Sequence, residues 1–254
     1  LAQKRLSQKG ISSAEGRRRD ARPTWLDYFA GGVPTGGYFR ITTESLRELT
    51  HLQPNRAGVV VRLHEICLIG LMAYFEAFCK DHFASVINIE PRLVNSLKAN
   101  GQSVTIEATN VLLFGKDIER RIGFLLAEKF DFGSAQKINA LFGALLKVTP
   151  FNKKEAQTYN RLLRDRNLLV HHGGTFTLTY LEDLVDSKRI RSDAFFHSVV
   201  ININELSGAI TFIEEIAKKL LRASHASILD FLLRSPKRYS AERQKALDAL
   251  VYWD

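Results

Sequence analysis

The chain has 254 residues, 45% of them hydrophobic and 25% charged, with a formal net charge of +9. That length suits one large or two small domains, and the composition excludes a wholly disordered, collagen-like or disulfide-stapled chain. No stretch reaches the about 18 uncharged apolar residues of a membrane span, and Cys67 and Cys79, on one helix, stand about 18 Å apart along its axis and cannot bond, so a reducing, cytoplasmic setting without a membrane is expected.

Residues 1–24 hold seven cations against Glu15 and Asp20 and few apolar groups, and read as a basic, mobile arm. Residues 25–60 read as a loop-rich extension, because Gly31-Gly32, Pro34, Gly36-Gly37 and Pro54 interrupt it, with a short helix at Glu44 to Leu49. From Val61 to Ile89, Leu68, Leu71, Met72, Phe75, Phe78, Cys79, Phe83 and Val86 recur at intervals of three and four, the spacing of a broad buried helix face. Two further helices are expected at Asp117 to Lys129 and Ser134 to Val148. Asn152 and Glu155 form a capping box that opens a helix running to about His171, ended by Gly173-Gly174.

The alternation Thr175-Phe176-Thr177-Leu178-Thr179-Tyr180 then predicts a strand. After a charged loop, Glu182 to Asp193, it is to pair with the β-rich run Phe195 to Ile203. A last helix, about Asn204 to Leu233, precedes a basic tail, 234–254. The expected fold is mainly α: a bundle of four to five helices over 61–233, with a short β-hairpin inserted before the last helix.

The helix from Glu155 to His171 breaks its own pattern. At roughly 100° per residue, Tyr159, Leu162, Leu163, Leu169 and Val170 define an apolar stripe, and Arg166 falls within it. Burying a guanidinium costs several kcal/mol unless partners satisfy it. Either Arg166 snorkels from the stripe's edge or pairs with an acid of another helix, or the stripe lines a cleft or subunit interface in which an anion is held.

The string Arg166-Asn167-Leu168-Leu169-Val170-His171 resembles the signature of the HEPN superfamily: an arginine, a small polar residue, three mostly apolar residues and a histidine near a helix end. A long apolar helix with Tyr74-Phe75-Glu76-Ala77-Phe78, a middle helical region, the motif helix, a glycine-capped turn and a long final helix extend the resemblance over roughly residues 61–233. Gly174 stands where HEPN proteins paired with nucleotidyltransferase antitoxins often carry tyrosine, which sets this chain apart from that subgroup.

The resemblance implies a HEPN-type, metal-independent endoribonuclease, acting as a toxin or anti-phage defence effector. It also implies a homodimer with a composite cleft, an RNA substrate, an antitoxin or activating protein as partner, and no cofactor. His171 is then the proton-transfer group, since imidazole titrates near neutral pH, and Arg166 the phosphate-stabilising one. Asn167 would orient the histidine or contact the substrate, His172 could substitute for His171, Glu76 could pair with Arg166, and Arg161 and Arg164 could receive the RNA backbone. Each has a plainer role open to it as a solvated surface or core residue. The competing class is a non-catalytic HEPN-like scaffold or sensor that binds nucleotide, RNA or a protein. His64-x-x-Cys67 and Cys79-x-x-His82 have metal-ligand spacing, but their centres lie too far apart on one helix to close a four-ligand site, and no metal is expected.

Overall fold

The computed structural model describes residues 24–51, 57–184 and 196–253. The basic arm, apart from Thr24, and most of the charged loop from Glu182 to Asp193 lie outside these residues. The described residues hold ten α-helices, here numbered in chain order. They are α1 (Thr35–Thr50), α2 (Ala57–Ile89), α3 (Val94–Ala99), α4 (Ala108–Phe114), α5 (Ile122–Ala127), α6 (Ala135–Leu146), α7 (Lys153–His172), α8 (Leu178–Leu184), α9 (Ile203–Arg234) and α10 (Ala241–Ala249). Short 3-10 turns at Trp25–Tyr28, Ala30–Gly32, Pro91–Leu93 and Gly115–Arg120 link or flank them.

The central element is α2, against which α1, α5, α7 and α9 pack. Its predicted inward positions, from Leu68 through Phe75 and Phe83 to Val86, are all buried. Their rings build an aromatic core: Phe75 meets Tyr159 of α7 at 5.6 Å between centroids, Phe83 meets Phe142 of α6 at 5.6 Å, and Phe39 of α1 meets Phe78 at 4.9 Å. His82 is sealed into this core, with Phe78 and Phe142 stacked on it. Burial drives its imidazole pKa down from 6.5 to about 3, so it is a neutral core group. At Gly123 the backbones of α2 and α5 nearly touch, since a Cβ there would lie 2.0 Å from the Ala84 carbonyl oxygen. Only glycine fits that contact. By length and composition α2 could also cross a membrane, a test that core helices of soluble proteins pass equally.

Residues 35–50 form one 16-residue helix despite Gly36 and Gly37, because α2 and α9 supply a surface for Phe39, Thr43 and Leu46 to pack on. The segment after Arg234 is likewise tied into the fold. Glu90, fully buried, accepts from Arg92 through both carboxylate oxygens (2.8 and 2.7 Å) and from the Tyr239 hydroxyl at 2.8 Å. Arg243 of α10 donates to Glu119 at 2.6 Å and to the Tyr28 hydroxyl at 3.4 Å, and lies over the rings of Tyr28 and Tyr239.

The expected bundle of four to five helices with an inserted hairpin is overturned. Among the described residues there is no strand, and the two segments expected to pair meet only at one isolated antiparallel bridge, Thr175 with Ser198. Phe176 N–H donates to the His197 carbonyl at 3.1 Å and Val199 N–H to that of Gly174 at 2.9 Å, after which the chain from Leu178 turns helical. Thr177 starts that helix, its hydroxyl accepting from Tyr180 N–H at 3.2 Å. Six alternating residues are a weak strand signal beside a threonine N-cap and a tyrosine with a buried partner in α7.

Candidate functional site: the faces of α7

Both ends of α7 are set by local chemistry. At the start, Asn152 Oδ1 accepts from Glu155 N–H at 2.9 Å and Glu155 Oε2 accepts from Asn152 N–H at 2.7 Å, the reciprocal capping box the sequence predicts. Lys219 of α9 donates to the same carboxylate at 2.6 Å, which clamps this end to the final helix. At the other end Gly173 takes the left-handed conformation (φ +60°), and helical backbone continues through His172.

The inward face carries Tyr159, Leu162 and Leu169 into the core. Arg166 sits half-buried at the rim of this face. Its Nη1 donates to the Asn167 side-chain oxygen at 2.9 Å, while its Nε is sealed from solvent with no partner. Glu76 of α2, also half-buried, and Arg166 both lie near enough to Tyr159 to act on its hydroxyl. Burial chiefly raises that hydroxyl's pKa, Cys79 and Glu76 add to the rise, and Arg166 opposes it. No hydrogen bond or ion pair joins Glu76 to Arg166 among the described residues. The Asn167 oxygen is taken by Arg166 rather than by a histidine.

His171 and His172 are exposed in the last turn. Because the helix stays regular, Arg166 and His171 point about 140° apart.

A different cluster forms around Asp165. The Tyr180 hydroxyl of α8 donates to Asp165 Oδ1 at 2.8 Å, Phe176 stacks on Tyr180 at 5.3 Å, and the Arg164 guanidinium lies 5.4 Å from the Tyr180 ring. Burial raises the Asp165 carboxyl above its ordinary range, against the opposing pull of the Tyr180 hydrogen bond and of Arg164 and Arg161. This contact holds α8 against α7.

The outward face is the most extended feature of the helix. Taking Tyr159 as zero, Asn167, Asn160, Lys153, His171, Arg164, Gln157, Arg161, Lys154 and His172 fall between about 80° and 220° and are exposed or half-exposed. Leu168 falls in the same sector and is buried, so it interrupts the face in the last turns. That stripe contains no carboxylate: Glu155 turns to Lys219 and Asp165 to Tyr180. The 20 residues of α7 make it about 30 Å long at 1.5 Å per residue. Gln157, Asn160, Arg161, Arg164 and Asn167 line a shallow concavity on it. Sequence analysis singled out Arg161 and Arg164 but passed over Lys153, Lys154, Gln157 and Asn160. The signal was available as the absence of any acid on one side of the helical wheel.

The endoribonuclease expectation does not survive this geometry. The helical architecture departs from a HEPN bundle, and Arg166 and His171 diverge on a regular helix. Among the described residues no group of three His, Cys, Asp or Glu side chains is placed to hold a metal ion. Hydrolase, toxin and defence-effector roles that rested on that activity fall with it; the description as a helical bundle stands. No protein-family model, curated protein or solved structure matches the chain.

Proposed function

We propose that the protein is a helical binding module, not an enzyme, that holds single-stranded RNA through the outward face of α7. The observation that carries this reading is the acid-free stripe from Lys153 to His172, with three exposed cations, Lys153, Lys154 and Arg161, along one side of one helix. A row of cations and amides about 30 Å long matches the repeat of phosphates along a strand, and neutralising those phosphates releases counterions. The stripe has no phenylalanine, tyrosine or tryptophan on which a base could stack, so contact is chiefly to phosphate and sugar, and sequence preference is low.

Gln157, Asn160 and Asn167 supply both donors and acceptors, suited to ribose hydroxyls as well as phosphates. The basic residues of 1–24 add to the overall attraction.

The test is binding of a labelled RNA oligonucleotide to the full chain across a salt series. Three or four phosphate contacts give a slope of log K against log salt of about −2 to −3, and Lys154→Glu with Arg161→Glu reduces it by about 1 per site. An unchanged slope and affinity in that double variant, with the fold intact by circular dichroism, overturns the assignment to α7.

A further inference from the structure

On the other side of the molecule, the 3-10 turn Ala30–Gly32, α1 and α2 enclose a cavity of about 270 Å³. Its walls are aromatic: Tyr38 and Tyr74 stand at the mouth, 58% and 47% exposed, and Phe39 and Phe78 close the base. One side chain charged at neutral pH lines it, Asp81 of α2. The Asp81 carboxylate has no hydrogen bond or ion pair among the described residues, and its oxygens are not fully sealed from solvent. Burial pushes this carboxyl up, and Lys80, its neighbour in sequence, only partly offsets that.

The lining selects among guests. An anion is repelled by Asp81, and a neutral apolar guest would strip water from the carboxylate without replacing it. A hard metal ion needs several oxygen ligands where one carboxylate is present. A primary ammonium brings three donors that each need an acceptor; Asp81 and the Thr42 hydroxyl, which donates to the Tyr38 carbonyl at 3.0 Å and can still accept, offer some, but most of the lining is apolar carbon. An alkylated ammonium brings charge without that demand, and its methyl groups fit against ring faces.

We propose that the cavity between α1 and α2 is a binding site for an alkylated ammonium group, held by Asp81 and by the faces of Tyr38 and Tyr74. This does not depend on the RNA reading, since it uses neither α7 nor any basic residue.

The experiment is a calorimetric titration of the full chain with choline, in parallel with its neutral carbon isostere 3,3-dimethylbutan-1-ol, repeated in Asp81→Asn and Tyr74→Leu. A competition arm sets choline against a peptide carrying a trimethylated lysine, which separates a free small cation from a modified protein tail as the source. Saturable binding of either cation is expected, with no saturation by the isostere and a loss of about tenfold in each variant. Thermal unfolding confirms that the variants remain folded. Equal binding of the isostere, unchanged affinity in Asp81→Asn, or no saturable binding of either cation overturns the proposal.

Discussion

Arg243 and Arg166 are both arginines held against the body of the protein, and their surroundings differ in every respect. Arg243 has an acid, a phenol and two ring faces around its guanidinium, and the neighbouring Glu90 is fully buried with all its acceptors used. Arg166 has one hydrogen bond, to the next residue in its own helix, and a sealed Nε with none. A guanidinium that serves the fold is satisfied from several elements at once. Arg166 is not, so the fold does not depend on its charge.

Among substitutions, the largest expected effect lies on the satisfied side. Glu90→Ala leaves Arg92 and the Tyr239 hydroxyl without their shared acceptor and should cost about 3 kcal/mol in denaturant unfolding. A loss under half of that would show that α10 and the Glu90 cluster are less coupled than their contacts indicate. Arg243→Met should cost about 2 kcal/mol by the same measurement, since it removes one side of a partly buried pair.

Acid should weaken the fold through His82. Its folded pKa is depressed to about 3 against 6.5, so between those values the unfolded chain takes up a proton the folded chain refuses. Stability from this group is complete above pH 6.5 and falls by about 1.4 kcal/mol per unit as pH drops toward 3. His82→Leu should flatten that slope. What remains should begin only near 4.5, where the unfolded Glu90 carboxyl protonates. Burial alone would raise the folded Glu90 pKa, but the hydrogen bonds from Arg92 and Tyr239 outweigh it and hold the carboxyl low. The stability it contributes is therefore present above 4.5 and lost as pH falls through its lowered folded value.

The smallest effect is expected at Arg166→Met. Losing one hydrogen bond is offset by removing an unsatisfied donor, and the change in stability should stay within about 0.5 kcal/mol. A cost comparable to Arg243→Met would place Arg166 among the structural arginines and end the contrast.

The expectations that held and those that failed divide by the range of the interactions behind them. The Asn152–Glu155 capping box, the glycine end of α7 and the inward positions of α2 all follow from groups within a few residues of one another, and they are legible in the chain. The alternation over residues 175–180 predicts a strand, but from Leu178 the chain is helical because that helix is held by Tyr180 reaching Asp165, a contact that only the packing of α8 on α7 creates. Glu76 and Arg166 were both visible as charges on apolar faces. Whether they would pair depended on the approach of α2 and α7, which no spacing encodes.

By itself, then, the sequence determined the helical class, the long helices with their caps and core faces, and the acid-free side of α7, because each is set by residues three or four apart on one helix. Only the tertiary structure decided that two expected strands meet at a single bridge and that Glu76 and Arg166 form no ion pair among the described residues. It also decided that Asp81 faces an aromatic cavity formed with α1, a residue 39 to 51 positions away from the rings and turns that enclose it on that side. Those outcomes depend on how separate helices approach one another, and that approach is set by the packing of the whole core.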